Sequence, residues 1–161
     1  MAKTRTTLKR KAKRAVPMKT IAIAEFNELR QKSERADALM MDIGLDAILR
    51  AVIGRNFPHR TGEVEKLMNS TNMIQKARLA NILQLIDGMV LKDLEQIHEI
   101  RNRFGHSFEA RFSDGKVRGF VKKLSTAKDK TVTEKNCYKF YDSALIKCAN
   151  CLDKAAEGQS K

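Results

Sequence analysis

Apolar side chains return every three or four residues through most of this chain. That is the period of an α-helix with one buried stripe, and nowhere do they alternate long enough to build a sheet. From Thr20 a short stretch sets Ile21, Ile23, Phe26 and Leu29 near one side. Ser33 then offers an N-cap for a longer helix in which Ala36, Leu39, Met40, Ile43, Ala47, Ile48, Val52 and Ile53 recur at helical spacing, and this segment is expected to be the central helix of the core. Residues 54–62 carry Asn56, Pro58 and two glycines, which end a helix and turn the chain.

The spacing predicts one or two helical turns over 63–68. Any of Asn69, Ser70, Thr71 and Asn72 could then cap a helix over 73–86, with Ile74, Ala77, Ile82, Leu85 and Ile86 inward. Asp87-Gly88 breaks that pattern. Val90, Leu94, Ile97, Ile100, Arg101 and Phe104 mark the next amphipathic helix, with Gly105 as its stop and His106 beside it. Ser113-Asp114-Gly115 admits either a hairpin turn or the cap of a helix carrying Val117, Phe120, Val121 and Leu124; the short, poorly alternating flanks favour the helix. After a polar linker over 125–131, Thr133 is placed to cap a last helix with the stripe Cys137, Phe140, Tyr141, Ala144, Leu145, Cys148, Leu152 and Ala155. The expected architecture is all-α: a single compact bundle of five or six helices over residues 17–156, preceded by a disordered basic arm over 1–16 and followed by a frayed tail over 157–161.

Composition agrees with that reading and narrows it. A chain of 161 residues is the length of one domain and needs no disulfide or metal staple. Hydrophobic residues at 42% are too many for a disordered chain, and no apolar run approaches a membrane span, since Asp42, Asp46 and Arg50 interrupt the most apolar segment. The apolar stretch after the basic start stops at Glu25, too early for a secretory signal, so a cytoplasmic location with reduced thiols is expected. The net charge of +13 is unevenly spread: the first 20 residues hold eight Lys+Arg and no acid, and the remaining 141 hold 24 Lys+Arg against 19 Asp+Glu. Lys3, Arg5, Lys9, Arg10, Lys11, Lys13 and Arg14 therefore form a candidate nucleic-acid-binding arm. The salt slope would be at most about 7 if all eight cations of residues 1–20 met phosphates. The arm has no aromatic side chain to stack bases, so specificity would fall to the folded part. Membrane-surface binding is disfavoured because no apolar face accompanies the charge. A second basic stretch (Lys116, Arg118, Lys122, Lys123, Lys128 and Lys130) points the same way.

The run Ile100-Arg101-Asn102-Arg103-Phe104-Gly105-His106 places two cations, an amide and an imidazole around a helix end. Arg101 suits a bidentate phosphate contact and Asn102 can orient the phosphate. An imidazole at His106, a type of group that ordinarily titrates near neutrality, could deprotonate a ribose 2′-hydroxyl. In-line displacement also needs a proton donor on the far side, which a dimer could supply. The same residues also suit a helix stop, with arginines on the negative end of the dipole, Asn102 on a loop carbonyl and His106 capping free backbone. On an ideal helix Arg101 and His106 lie about 140° apart, so the two would pair only if Gly105 bent the chain.

Ser33-Glu34-Arg35 leading into Leu45-Asp46-Ala47-Ile48-Leu49, then Ala77-Arg78 with Leu83-Gln84-Leu85-Ile86, then the run from Ile97 to His106, resembles the mannitol operon repressor (MltR) family over residues 30–125. The chain departs from that pattern at Gln84, where the family has glycine, at Gly105, where it has alanine, and in its basic arm. The resemblance implies a compact all-helical fold and a role as a transcriptional regulator, without a recognisable helix-turn-helix. Arg101-Asn102 with His106 also resembles the Arg-x(4–6)-His motif of HEPN domains, small helical proteins that commonly dimerise and include ribonucleases, toxins and non-catalytic members. That resemblance implies Arg101 and His106 as a catalytic pair supported by Asn102, in a metal-independent endoribonuclease, and a homodimer. A protein-interaction module remains a third reading.

Cys148-Ala149-Asn150-Cys151 has the spacing of a zinc knuckle, but only His59, His98 and His106 could complete a ligand set and none has the paired spacing of a second knuckle. Cys137 and Cys148 instead continue an apolar stripe, so no metal or other cofactor is expected. Walker, dinucleotide, zinc-protease and nucleophile-elbow motifs are missing from the sequence.

Overall fold

The computed structural model describes residues 18–57 and 62–157, with side chains from residue 33 onward. Six α-helices and one 3₁₀ turn are present and, among the described residues, no strand: α1 Met18–Arg55, α2 Gly62–Ser70, α3 Met73–Ile82, α4 Gly88–His106, α5 Gly115–Val121, the 3₁₀ turn Ser125–Ala127 and α6 Cys137–Glu157. The fold is all-helical, as the periodicity implies. The basic arm and residues 158–161 of the tail lie outside the described residues, while Glu157 ends α6.

Helix α1 packs against α3, α4 and α6 and is the centre of the bundle. It is one helix of 38 residues, and the N-cap expected at Ser33 is interior to it. The reason is local: residues 27–36 hold no proline or glycine and are rich in Glu, Leu, Arg, Gln and Lys, so nothing stops the helix there. Its buried face also differs from expectation. Ala38, Leu45, Leu49, Val52 and Ile53 are buried, whereas Met40 and Ile43 are 63% and 61% exposed and Ala36 and Ala47 face solvent. Asp42 sits on the buried face between Ala38 and Leu45.

Polar side chains of α1 reach every helix packed on it. Lys76 of α3, only 2% exposed, donates to both carboxylate oxygens of Asp46 at 2.7 and 2.9 Å and to the Thr71 carbonyl at 2.8 Å. Its ammonium therefore spends all three protons, which makes its burial tolerable. The Tyr138 hydroxyl on α6 donates to Asp37 at 2.7 Å, and Arg50 donates to the Met68 carbonyl of α2 at 3.2 Å.

Capping sets the remaining boundaries. Asn72 and Gln75 form a reciprocal capping box on α3, and Asp87, read above as a break, is the N-cap of α4, accepting from the amides of Met89 and Val90 at 2.8 Å each. α3 ends at Ile82, four residues before the expected Ile86, because Gln84 turns left-handed at φ 57°. The Leu85 amide then bonds the Ala80 carbonyl and the Gln84 amide bonds that of Asn81, a Schellman closure. Ile82, expected inward, is 76% exposed as a result.

Asp114 caps α5, accepting from the Lys116 amide at 2.9 Å, so the helical reading of that segment holds. α6 begins at Cys137, later than a Thr133 cap would place it: residues 133–136 form a turn in which the Asn136 side chain accepts from the Thr133 amide at 2.7 Å. Its stripe is buried at Cys137, Tyr141, Ala144, Leu145, Cys148 and Leu152. Phe112, in the connection between α4 and α5, stacks within about 5 Å of Phe104, Tyr138 and Tyr141 and so ties α4 to α6.

Two stability outcomes follow. Gln84→Gly relieves a left-handed side chain, and urea unfolding is expected to show a gain of about 0.5–1 kcal/mol; a loss would mean that the Gln84 side chain holds the turn. The Lys116 amide and Arg103 hold the Asp114 carboxyl below its ordinary range. The cap therefore contributes fully above the unfolded carboxylate pKa and is lost as pH falls through the lower folded value. Asp114→Ala is expected to cost about 1 kcal/mol at pH 7, with the gap to wild type closing as the solution is acidified below about pH 4.

Candidate functional site

Helix α4 buries Val90, Leu94, Ile97, Ile100 and Phe104, which leaves His98, Arg101 and Asn102 at the border of that stripe. Two side chains of α1 organise this border. Asp42 brings one carboxylate oxygen to 3.1 Å from His98 Nδ1 and the other to 3.8 Å from Arg101 Nε. Arg101 in turn donates from Nη1 to Asn102 Oδ1 at 3.3 Å, and its side chain stays 39% exposed. Tyr141 lies beneath, fully buried, its hydroxyl without a hydrogen-bond partner among the described residues. Burial, reinforced by the charge on Asp42, pushes that phenol well above its ordinary pKa, so it remains protonated.

Arg35 organises the helix end. Its guanidinium donates to the carbonyls of Phe104 and Ser107, the latter at 2.8 Å, and stacks 5.1 Å from the ring of Phe108, which is 95% exposed. Two backbone carbonyls at the end of α4 are thus filled from α1, and a cation sits at the negative end of the helix dipole. Arg103 turns away to Asp114 at 3.3 Å. His106, the last residue of α4, is exposed and makes no hydrogen bond or ion pair among the described residues. Capping, the structural duty that would have explained an imidazole here, is performed by Arg35.

The structure joins Arg101 to Asn102 but does not join Arg101 to His106. Gly105 does not stop the helix: α4 continues through it to His106, no glycine among the described residues has positive φ, and the Ser107 cap is extended. With no bend at Gly105, Arg101 and His106 keep about 140° between them around the axis. A Cβ at Gly105 would meet Arg101 Nη1 at 3.7 Å, an ordinary contact, so space does not require glycine there. Asn102 also borders a cleft of about 380 Å³ between α3 and α4, where Glu95 and Glu99 oppose Arg78. Apart from His98, which faces Asp42, this edge offers one free imidazole and one guanidinium toward a phosphate; moving protons on both sides of a phosphorus needs a further group, from a second copy or elsewhere.

Sequence reasoning missed Arg35, Asp42 and His98 as organisers of the site. Asp42 carried a readable signal, because it lies four residues after Ala38 and three before Leu45 on what proves to be the buried face. The arm residues Lys3, Arg5, Lys9, Arg10, Lys11, Lys13 and Arg14 lie outside the described residues. Burial pushes the thiols of Cys137 and Cys148 up to about 11 and about 12, so neither is a thiolate at neutral pH. Among the described residues no group of three or more His, Cys, Asp and Glu is placed to hold a metal, and no helix is long and apolar enough to cross a membrane.

Compared with models of protein families, with curated proteins and with solved structures, the chain matches none.

Arg35→Ala should fray the last turn of α4, with faster hydrogen exchange at the amides of residues 104–108 and a stability loss of about 1–3 kcal/mol by urea unfolding; unchanged exchange would show that the cap is dispensable.

Proposed function

We propose that the protein is a transcriptional regulator of the mannitol-repressor type, acting in the cytoplasm as a homodimer and contacting nucleic acid. In this reading the end of α4 is the recognition edge and the basic arm, Lys3 to Arg14, adds sequence-independent attraction to phosphate. One observation carries it: Arg35 bonds the end of α4 and leaves the exposed His106 without a structural partner, while Asp42 faces the half-exposed Arg101 earlier on the same helix. A guanidinium and a free imidazole on different sides of one helix end suit contact with an extended phosphate-bearing surface. The +13 charge supports such a partner.

The same free imidazole favours a second reading, a metal-independent endoribonuclease. His106 would take the proton of a ribose 2′-hydroxyl, the oxygen would attack the adjacent phosphorus, and Arg101 with Asn102 would hold the phosphate while the 5′-oxygen leaves with a proton from the partner copy. The dimer is essential to that reading, because the described edge of one chain holds one such imidazole.

Purified protein mixed with single-stranded RNA in EDTA, and with duplex DNA over a range of salt, separates the two. The regulator reading expects intact RNA and duplex binding that weakens steeply with salt, with a shallower slope once residues 1–16 are removed and a severalfold loss in Arg101→Gln. RNA cleavage that disappears in His106→Ala would instead establish the enzyme. Duplex binding indifferent to both the arm and Arg101 would sink the regulator.

A further inference from the structure

Toward the opposite end of α4, four lysines line an open cleft of about 440 Å³: Lys92 on α4, Lys122 and Lys123 just after α5, and Lys128 just after the 3₁₀ turn. None of the four forms an ion pair among the described residues, whereas other cations of the bundle do, such as Lys76 with Asp46, Arg78 with Glu95 and Arg118 with Glu134. The only acid lining the cleft is Asp93, and its charge is already used. It is 1% exposed, accepts from the Ser125 amide at 2.7 Å and from the Ser125 hydroxyl, and lies 3.4 Å from Lys147 Nζ. Lys147 also donates to the Ser125 hydroxyl at 2.6 Å. That hydroxyl is committed on both sides and is not a free nucleophile; it fixes the turn on which Lys122 and Lys123 stand.

The lysine backbones are held as well, with the amides of Lys122 and Lys123 bonded to the carbonyls of Arg118 and Phe120 at 2.9 and 3.0 Å. Four lysines around one concavity, of which Lys123 also sets its ammonium 5.8 Å from the centre of the Phe120 ring, give the cleft a positive field that an anion filling it would neutralise. Ammonium groups are multiple donors suited to phosphate oxygens, and the exposed Met89 with Leu124 gives the wall an apolar part.

We infer that this cleft is a phosphate-ester binding site, separate from the end of α4. Its ligand presents several phosphate groups, either as a nucleoside polyphosphate or as the backbone of a nucleic acid. At about 1.5 Å per residue Lys92 and His106 stand about 20 Å apart along α4, so the cleft stands even if the regulator reading fails.

The test uses the full-length protein, titrated calorimetrically with pyrophosphate, with ATP and with duplex DNA. The cleft variant Lys122→Gln/Lys123→Gln is compared with Lys139→Gln/Lys154→Gln, which removes equal charge from exposed positions on α6, and Lys92→Gln/Lys128→Gln serves as a second cleft variant. Circular dichroism checks that each is folded. ATP and pyrophosphate are expected to bind, with an affinity loss of about tenfold or more in both cleft variants and none in the α6 variant. If the small phosphates do not bind but duplex affinity falls that far in the cleft variants alone, the site stands and its source is the nucleic acid backbone. Equal losses in cleft and α6 variants, or no binding of any probe, would overturn it.

Discussion

A buried carboxylate sets the terms for this bundle. Asp42 lies on the core-facing side of α1, and an ionised carboxylate there is tolerable only if the opposing helix brings donors to it. α4 brings His98 and Arg101, so the register of α4 on α1 is dictated by where that charge can be answered. The clasps from Asp46 to Lys76, Asp37 to Tyr138 and Arg35 to the end of α4 repeat the logic at other levels of α1. The central helix therefore meets its partners through polar contacts and adds cohesion through Leu45, Leu49, Val52 and Ile53.

That design explains which parts of the fold were legible in the sequence. The number of helices and their caps at Asn72 and Asp114 follow from local chemistry. The stripe of α6 follows from an uninterrupted apolar period, and the burial of Cys137 and Cys148 follows with it. The buried face of α1 does not, because a carboxylate interrupts it: an apolar count shifts toward Met40, Ile43 and Ala47, which face solvent, and away from Ala38 and Leu45. The early end of α3 was hidden for a related reason. Glutamine at a left-handed position is uncommon, so Gln84 carries none of the signal that glycine would.

The candidate site was legible as a list of residues and not as an arrangement. Arg101, Asn102 and His106 stand out by type and spacing, yet periodicity already separates Arg101 from His106, and no bend at Gly105 restores the pair. What decides the role of His106 is Arg35, a contact 69 positions distant from Phe104, beyond the reach of any local pattern. Once Arg35 caps α4, the imidazole is released from structural service. Arg103, one turn before His106, differs in being committed to Asp114 at the start of α5.

The remoteness of Arg35 also orders events in time. α4 cannot complete its last turn from its own neighbourhood, because the donors that close it come from a helix made much earlier in the chain. Contacts of such separation form late, after the loop between them has been closed entropically. A partly folded copy would thus carry a ragged edge where His106 sits, and an ordered end of α4 marks a chain whose folding is complete.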